Sequence, residues 1–277
     1  MNEEQTQTRT RQQTQPLLEV KGLKTQFLTQ DGGYRTYLDD IGFRVYPGEI
    51  VALVGESGSG KSLTSLSIMG LLNQNGRIKS GEILFDGVDL RKLSREELDQ
   101  YRGNRISMIF QDALTILNPS FTVGNQITES LEVHLGLHGK AAKNRAIELL
   151  RKVGMPSPEA IYKSYPHTLS GGMRQRAMIA IALACGPDLL IADEATTALD
   201  VTIQAQIMRF FKELQREENM SIILITHDMG LVAEMADRVV VLYAGQMVEV
   251  ADIVALFDEP HHPYTSALMC SIPHQTM

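Results

Sequence analysis

Two rhythms of apolar residues run along this chain. Short, nearly continuous apolar blocks at 49–54, 189–192, 222–225 and 239–242 alternate with longer, mixed stretches of helical character at 62–72, 173–184, 203–217 and 230–236. The first rhythm predicts strands buried on both faces and the second predicts helices that cover them. Strands alternating with helices imply a largely parallel sheet. Ahead of this pattern, 17–45 reads as strands broken by a turn at Asp31-Gly32-Gly33. Pro47-Gly48 is a second turn, and 81–85 is a further strand closed by Asp86-Gly87. From about 111 to 166 the strand patterns give way to helical ones, at 124–135 and 140–153, which predicts a helical lobe inserted into the α/β core. No internal repeat is evident.

The remaining bulk properties narrow the class. A length of 277 residues suits one large α/β domain or a domain with a smaller lobe. The net charge of −7 argues against nucleic acid as the main partner. The two cysteines, Cys185 and Cys270, form no CxxC pair, so a disulfide scaffold or zinc site is not expected; Cys185, within an apolar stretch, reads as a small buried hydrophobe. No uncharged apolar run approaches the roughly 20 residues of a spanning helix. The polar, Gln/Thr-rich start, 1–16, lacks the apolar core of a signal peptide and reads as a disordered lead. Any membrane role would come through a partner.

Candidate chemistry begins at Gly55-Glu56-Ser57-Gly58-Ser59-Gly60-Lys61-Ser62, a GxxxxGK[ST] motif between an apolar strand and a helix. Such a loop curls so that successive backbone N–H groups point at phosphate oxygens, and the helix that follows aims its positive end at the same place. Lys61 would bring a point charge to the β- and γ-phosphates, and the Ser62 hydroxyl can ligate Mg2+. The motif implies nucleotide binding without saying how the energy is used.

The apolar block 189–192 ends in Asp193-Glu194. In a parallel sheet, ligands bind at the C-terminal strand edge. Asp193 can hold Mg2+, and Glu194 is the better candidate for orienting or deprotonating an attacking water. Leu169-Ser170-Gly171-Gly172-Met173 opens another helix, with Ser170 as N-cap and two glycines exposing the first N–H groups. Two phosphate-seeking helix starts in one chain suggest that one serves the nucleotide of another copy. His227, after the apolar block 222–225, can reach a γ-phosphate, or is an ordinary surface histidine; His261 and His262 read as structural or exposed.

Taken together, the phosphate loop, Gln111 after Met108-Ile109-Phe110, the LSGGM run, LLIADE, Ala198-Leu199-Asp200 and His227 resemble, in order and spacing, the ATPase domains of ABC transporters over about 17–270. The resemblance implies a P-loop NTPase core with a mixed, largely parallel sheet, an N-terminal antiparallel β part and the inserted lobe, followed by a short tail at 271–277. It implies ATP and Mg2+ as ligands and a head-to-tail pair in which Ser170, Gly171 and Gly172 of one protomer face the ATP held by Lys61 of the other. It further implies that Gln111 touches Mg2+ and links the site to the lobe, that Glu194 is the base, that His227 holds the γ-phosphate and that Asp200 lies at the dimer seam. An aromatic residue upstream of the loop would stack on adenine: Phe27 is the candidate, with Tyr37 as the alternative.

Several runs, among them Leu117-Asn118-Pro119, Tyr165-Pro166-His167, Gly172-Met173-Arg174-Gln175-Arg176 and His262-Pro263-Tyr264-Thr265, look like the ATPase subunits of bacterial dipeptide/oligopeptide importers, with nickel importers as near relatives. The implied partners are membrane-spanning permeases, a second ABC ATPase (a related chain or a second copy) and, indirectly, an extracellular substrate-binding protein. The implied location is the cytoplasmic face of the membrane. The other readings are an exporter ATPase or a soluble, non-transport ABC ATPase. Two departures from the family pattern stand out. Ala195 replaces the usual proline, which is expected to loosen that loop modestly, and the cysteine-bearing tail of many peptide-importer subunits, with any iron–sulfur cluster it would hold, is not expected here.

Overall fold

The computed structural model describes residues 15–111, 116–196 and 199–270. Residues 1–14 of the polar lead, the 271–277 tail, Asp112 and the Thr197-Ala198 pair lie outside the described residues. The chain divides into two compact units, one taking the residues up to Ser94 and from Ser221 onward, the other Arg95–Met220.

The first unit opens with β1 (Leu18–Leu28) and β2 (Tyr34–Val45), an antiparallel pair joined by the expected turn, where Thr29 N donates to Gly33 O at 2.9 Å. The strand β3 (Ile50–Val54) follows, buried at all five positions, and leads into helix α1 (Lys61–Ile68). The sequence pattern placed this helix at 62–72. It stops sooner because Gly70 closes it at φ +63°, with Gly70 N bonded to Ser67 O and Leu71 N to Leu66 O. Next come β4 (Gly76–Phe85) and β5 (Val88–Asp89), giving a small antiparallel sheet in the order β2-β1-β4-β5. β4 begins well before the expected 81–85, because its polar first half carries no apolar signal and is held by pairing with β1 through shifted registers.

In the second unit, α2 (Arg95–Tyr101) precedes β6 (Ile106–Ile109). Then come α3 (Val123–Leu135), α4 (Gly139–Lys152), α5 (Pro158–Tyr162), α6 (Gly171–Ala182), β7 (Leu189–Asp193) and α7 (Val201–Glu217). β6 and β7 pair in parallel, Ile106 opposite Leu189 and Ile109 opposite Ala192. Along α7 the buried face takes Ile207, Phe211 and Leu214, the spacing of one helical stripe. Cys185 is half-buried, its Sγ donating to Ser130 O at 3.4 Å, and burial pushes its thiol up to about 11, so it packs rather than reacts.

The chain returns to the first unit with β8 (Ser221–Ile225), α8 (Met229–Met235), β9 (Arg238–Tyr243), β10 (Gln246–Asp252), α9 (Ile253–Asp258) and α10 (Pro263–Cys270). β3 lies between β8 and β9, parallel to both, and β10 returns antiparallel on β9. This is the mixed, largely parallel arrangement expected, its central strand apolar on both faces. Among the described residues no helix is long and apolar enough to cross a membrane.

Phe211 is fully buried. Phe211→Ala is expected to destabilise the fold by about 3–5 kcal/mol, read as a lower denaturation midpoint in thermal or urea melts. A midpoint equal to that of the parent would mean that the helix stripe is not packed as described.

Candidate functional site

The phosphate loop sits where β3 ends and α1 begins. Gly55 and Gly60 hold φ of +144° and +108°, and side chains there would collide with their surroundings. A Cβ on Gly55 would run into the Leu242 carbonyl and lie 2.7 Å from Ser59 Oγ; one on Gly60 would lie 2.6 Å from the Leu38 side chain. Inside this curl Lys61 is 7% exposed, and its Nζ donates to Gly55 O at 2.7 Å and Glu56 O at 2.8 Å. The Ser59 hydroxyl is buried with no hydrogen-bond partner among the described residues. Ser62, half-buried, follows Lys61 in the first turn of α1, a turn that carries no acidic residue. A buried ammonium, an unsatisfied hydroxyl and a helix N-terminus belong to one curl, a combination whose chemistry suits an anion. Glu56, Ser57 and Gly58 form the exposed rim of the loop.

In the second unit, β7 is buried throughout and carries Asp193, 3% exposed, at its end. Glu194 follows in the left-handed region at φ +46°, a conformation that costs a non-glycine residue energy and that clusters at functional sites. Its carboxylate Oε2 accepts from Gln111 Nε2 at 2.8 Å, and its carbonyl accepts from Gln175 Nε2 at 3.4 Å. The structure thus brings together Gln111 and Glu194 and adds Gln175, for which the sequence analysis proposes no role. The available signal was a glutamine on the apolar face of a helix, where a buried amide must find partners. Ala195 is buried at 2% exposure, a fit for its small side chain. In the first unit Ser62 offers a hydroxyl oxygen, and in the second Gln111 offers an amide oxygen and Asp193 a carboxylate; each is a hard donor of the kind that suits Mg2+.

Ser170 caps α6, its hydroxyl accepting from Met173 N at 3.3 Å. Gly171 has open space around the place of a Cβ and does not adopt a positive φ, so nothing among the described residues requires glycine there. Gly172, next in the helix, is half-buried. Asp200 caps α7, accepting from Ile203 N at 3.0 Å, and is exposed. In the first unit, His227 is exposed just after β8, and the backbone beyond it is pinned by Asp228, whose carboxylate accepts from Gly230 N and Leu231 N.

Phe27 meets Tyr37 edge-on at 5.3 Å, and its ring packs against Gly76, where a Cβ would lie 2.8 Å from it. Tyr37 is the more open ring, 47% exposed, and its neighbour Leu38 is the residue that touches Gly60.

Residues 38–197 match the ABC transporter family. The chain is 55% identical over 258 residues, 93% of this chain and 78% of the relative, to the Bacillus subtilis oligopeptide transport ATP-binding protein AppD. It is 51% identical over 257 residues, again 93% of this chain and 78% of the relative, to the Escherichia coli dipeptide transport ATP-binding protein DppD. Among solved structures, the dimeric post-hydrolysis state of the ATP-binding cassette MJ0796 bound to ADP and Pi superposes with a TM-score of 0.78 at 26% identity, covering 85% of this chain and 98% of that one. With a family match spanning the phosphate loop and the acidic strand end, and relatives alike over nearly its whole length, the chain belongs to the ABC transporter family.

Proposed function

We propose that this protein is the ATP-binding and ATP-hydrolysing subunit of an ABC importer for dipeptides or oligopeptides. The observation that carries the reading is the curled loop 55–62, with Lys61 buried inside it and the Ser59 hydroxyl buried without a hydrogen-bond partner among the described residues. The names of AppD and DppD support a peptide substrate.

On this reading, the backbone N–H groups of the loop and Lys61 grip the β- and γ-phosphates of ATP. Ser62, Gln111 and Asp193 hold Mg2+, which when bound supplies neutralising charge to the phosphate oxygens. Glu194 is the general base, its carboxylate oriented by Gln111 so that it faces the water that attacks the γ-phosphate. His227 contacts that phosphate. Tyr37, rather than Phe27, offers adenine its open face. The open surroundings of Gly171 and the dimeric form of MJ0796 support a head-to-tail pair in which Ser170, Gly171 and Gly172 complete the site of the opposite protomer, with Asp200 at the seam. ATP closes the pair and hydrolysis reopens it, a two-state motion that permeases can use. The helical lobe at about 111–166 is the surface they would grip, at the cytoplasmic face of the membrane. The second ATPase is a related chain or another copy, and an extracellular binding protein delivers the substrate.

Three outcomes are expected. Glu194→Gln should retain ATP binding while steady hydrolysis falls by about 100-fold or more, the scale of a general base; near-normal turnover in a phosphate-release assay would remove Glu194 from that role. Lys61→Ala should weaken ATP binding by about 10- to 100-fold, as expected for losing a charged hydrogen-bonding partner, measured by calorimetry. Gly171→Leu should fold and bind ATP as a single chain yet fail to form the ATP-dependent pair in size-exclusion runs. Normal pairing would mean that this surface does not approach another protomer.

A further inference from the structure

Glu56, the second residue of the phosphate loop, is engaged through both of its flanking peptide groups. Its carbonyl accepts from Lys61 Nζ at 2.8 Å and from Ser59 N at 3.1 Å. Its N–H donates to the Tyr264 hydroxyl oxygen at 2.9 Å, across 208 residues of chain. Tyr264 belongs to α10, near the C-terminal end of the described residues, and its ring lies 4.5 Å from that of Tyr243 at the end of β9. It also packs on the core beneath β3, beside Ala52 and Val54.

The segment that delivers Tyr264 is itself anchored. The two carboxylate oxygens of Glu249 on β10 accept from His261 N at 2.9 Å and His262 N at 3.0 Å. His262 Nδ1 then accepts from Tyr264 N at 3.1 Å, and Pro263 begins the helix with its φ preset. Burial raises the Tyr264 phenol above its ordinary value, so the contact at Glu56 is made by a neutral hydroxyl.

A phenylalanine would fill the same space between Tyr243 and the core. What the hydroxyl adds is the bond to Glu56 N. Glu56 is exposed, so water can satisfy that N–H if the hydroxyl is removed, and the fold loses little. What is lost is the fixed orientation of the Gly55–Glu56 peptide, whose Gly55 carbonyl supports Lys61.

We propose that Tyr264 is a positioning residue of the phosphate loop: by holding the Glu56 N–H it fixes the planar Gly55–Glu56 peptide, whose Gly55 carbonyl accepts from Lys61 Nζ at 2.7 Å, and so lets helix α10 set nucleotide affinity. The inference rests on the reading of 55–62 as the triphosphate site. A preformed loop contributes equally to the bound ground state and the transition state, so its loosening should appear in binding rather than in turnover.

The test compares wild type with Tyr264→Phe, using ATP and ADP with Mg2+ in calorimetry, steady-state hydrolysis and thermal melts. Tyr264→Phe is expected to raise the Kd for both nucleotides by about 3- to 10-fold, the scale of one hydrogen bond, to raise KM by the same factor, and to leave kcat within about twofold with an unchanged melting midpoint. Glu249→Gln, which weakens the anchor at a distance, should shift Kd in the same direction by less. An unchanged Kd in Tyr264→Phe, or a fall in kcat at constant KM, would overturn the proposal. A wild-type protein that binds neither nucleotide would instead overturn the reading of the loop itself.

Discussion

Burial of one ammonium group organises the first unit of this protein. Taking Lys61 to 7% exposure costs free energy unless its charge is met by well-placed acceptors. The acceptors are carbonyls of the loop that precedes it, which turn inward only because the backbone there takes conformations open to glycine. That curl is in turn gripped from several sides. Ser59 O accepts from Gly245 N, the Leu242 carbonyl lies against Gly55, Leu38 covers Gly60, and Tyr264 holds Glu56. Much of the first unit can be read as scaffolding that keeps one short loop in shape with an ammonium inside it.

A second constraint acts at the end of β7. Five consecutive buried residues deliver Asp193 and then force a sharp change of direction, so Glu194 is left with a positive φ. Such a residue persists only when its neighbours overdetermine it. Gln111 holds its side chain, and Gln175, from the helix that opens with Ser170, reaches its carbonyl. The candidate base is thus tied to the loop after β6 and to the helix behind the LSGGM run. A change in either would be felt at its carboxylate.

Where the sequence reading stopped short, the reasons are local and physical. Helix α1 ends early because Gly70 caps it, a signal outweighed in the pattern by the apolar Leu71 and Leu72 that follow. The first half of β4 is polar and mostly exposed, so no apolar alternation marks it, and its pairing with β1 alone makes it a strand. The four-residue β6 is too short to show a period, although the Met108-Ile109 pair lies within it. Tyr264 is visible as part of the His262-Pro263-Tyr264-Thr265 run, but its contact with Glu56 spans 208 residues and leaves no trace in spacing.

By itself the sequence determined the class of the fold, the phosphate loop, the acidic strand end, the LSGGM helix start and the family. These are local patterns in which residue type and spacing carry the chemistry directly: glycine for curl, lysine for charge, carboxylates after an apolar run. Tertiary structure alone decided which groups support them. It tied Glu194 to Gln111 and Gln175, preferred Tyr37 over Phe27 as the open ring, and brought a hydroxyl from the C-terminal helix onto the loop. Those relations depend on which backbones approach one another after the chain has folded, and a hydrogen bond between residues far apart in sequence has no periodicity to betray it.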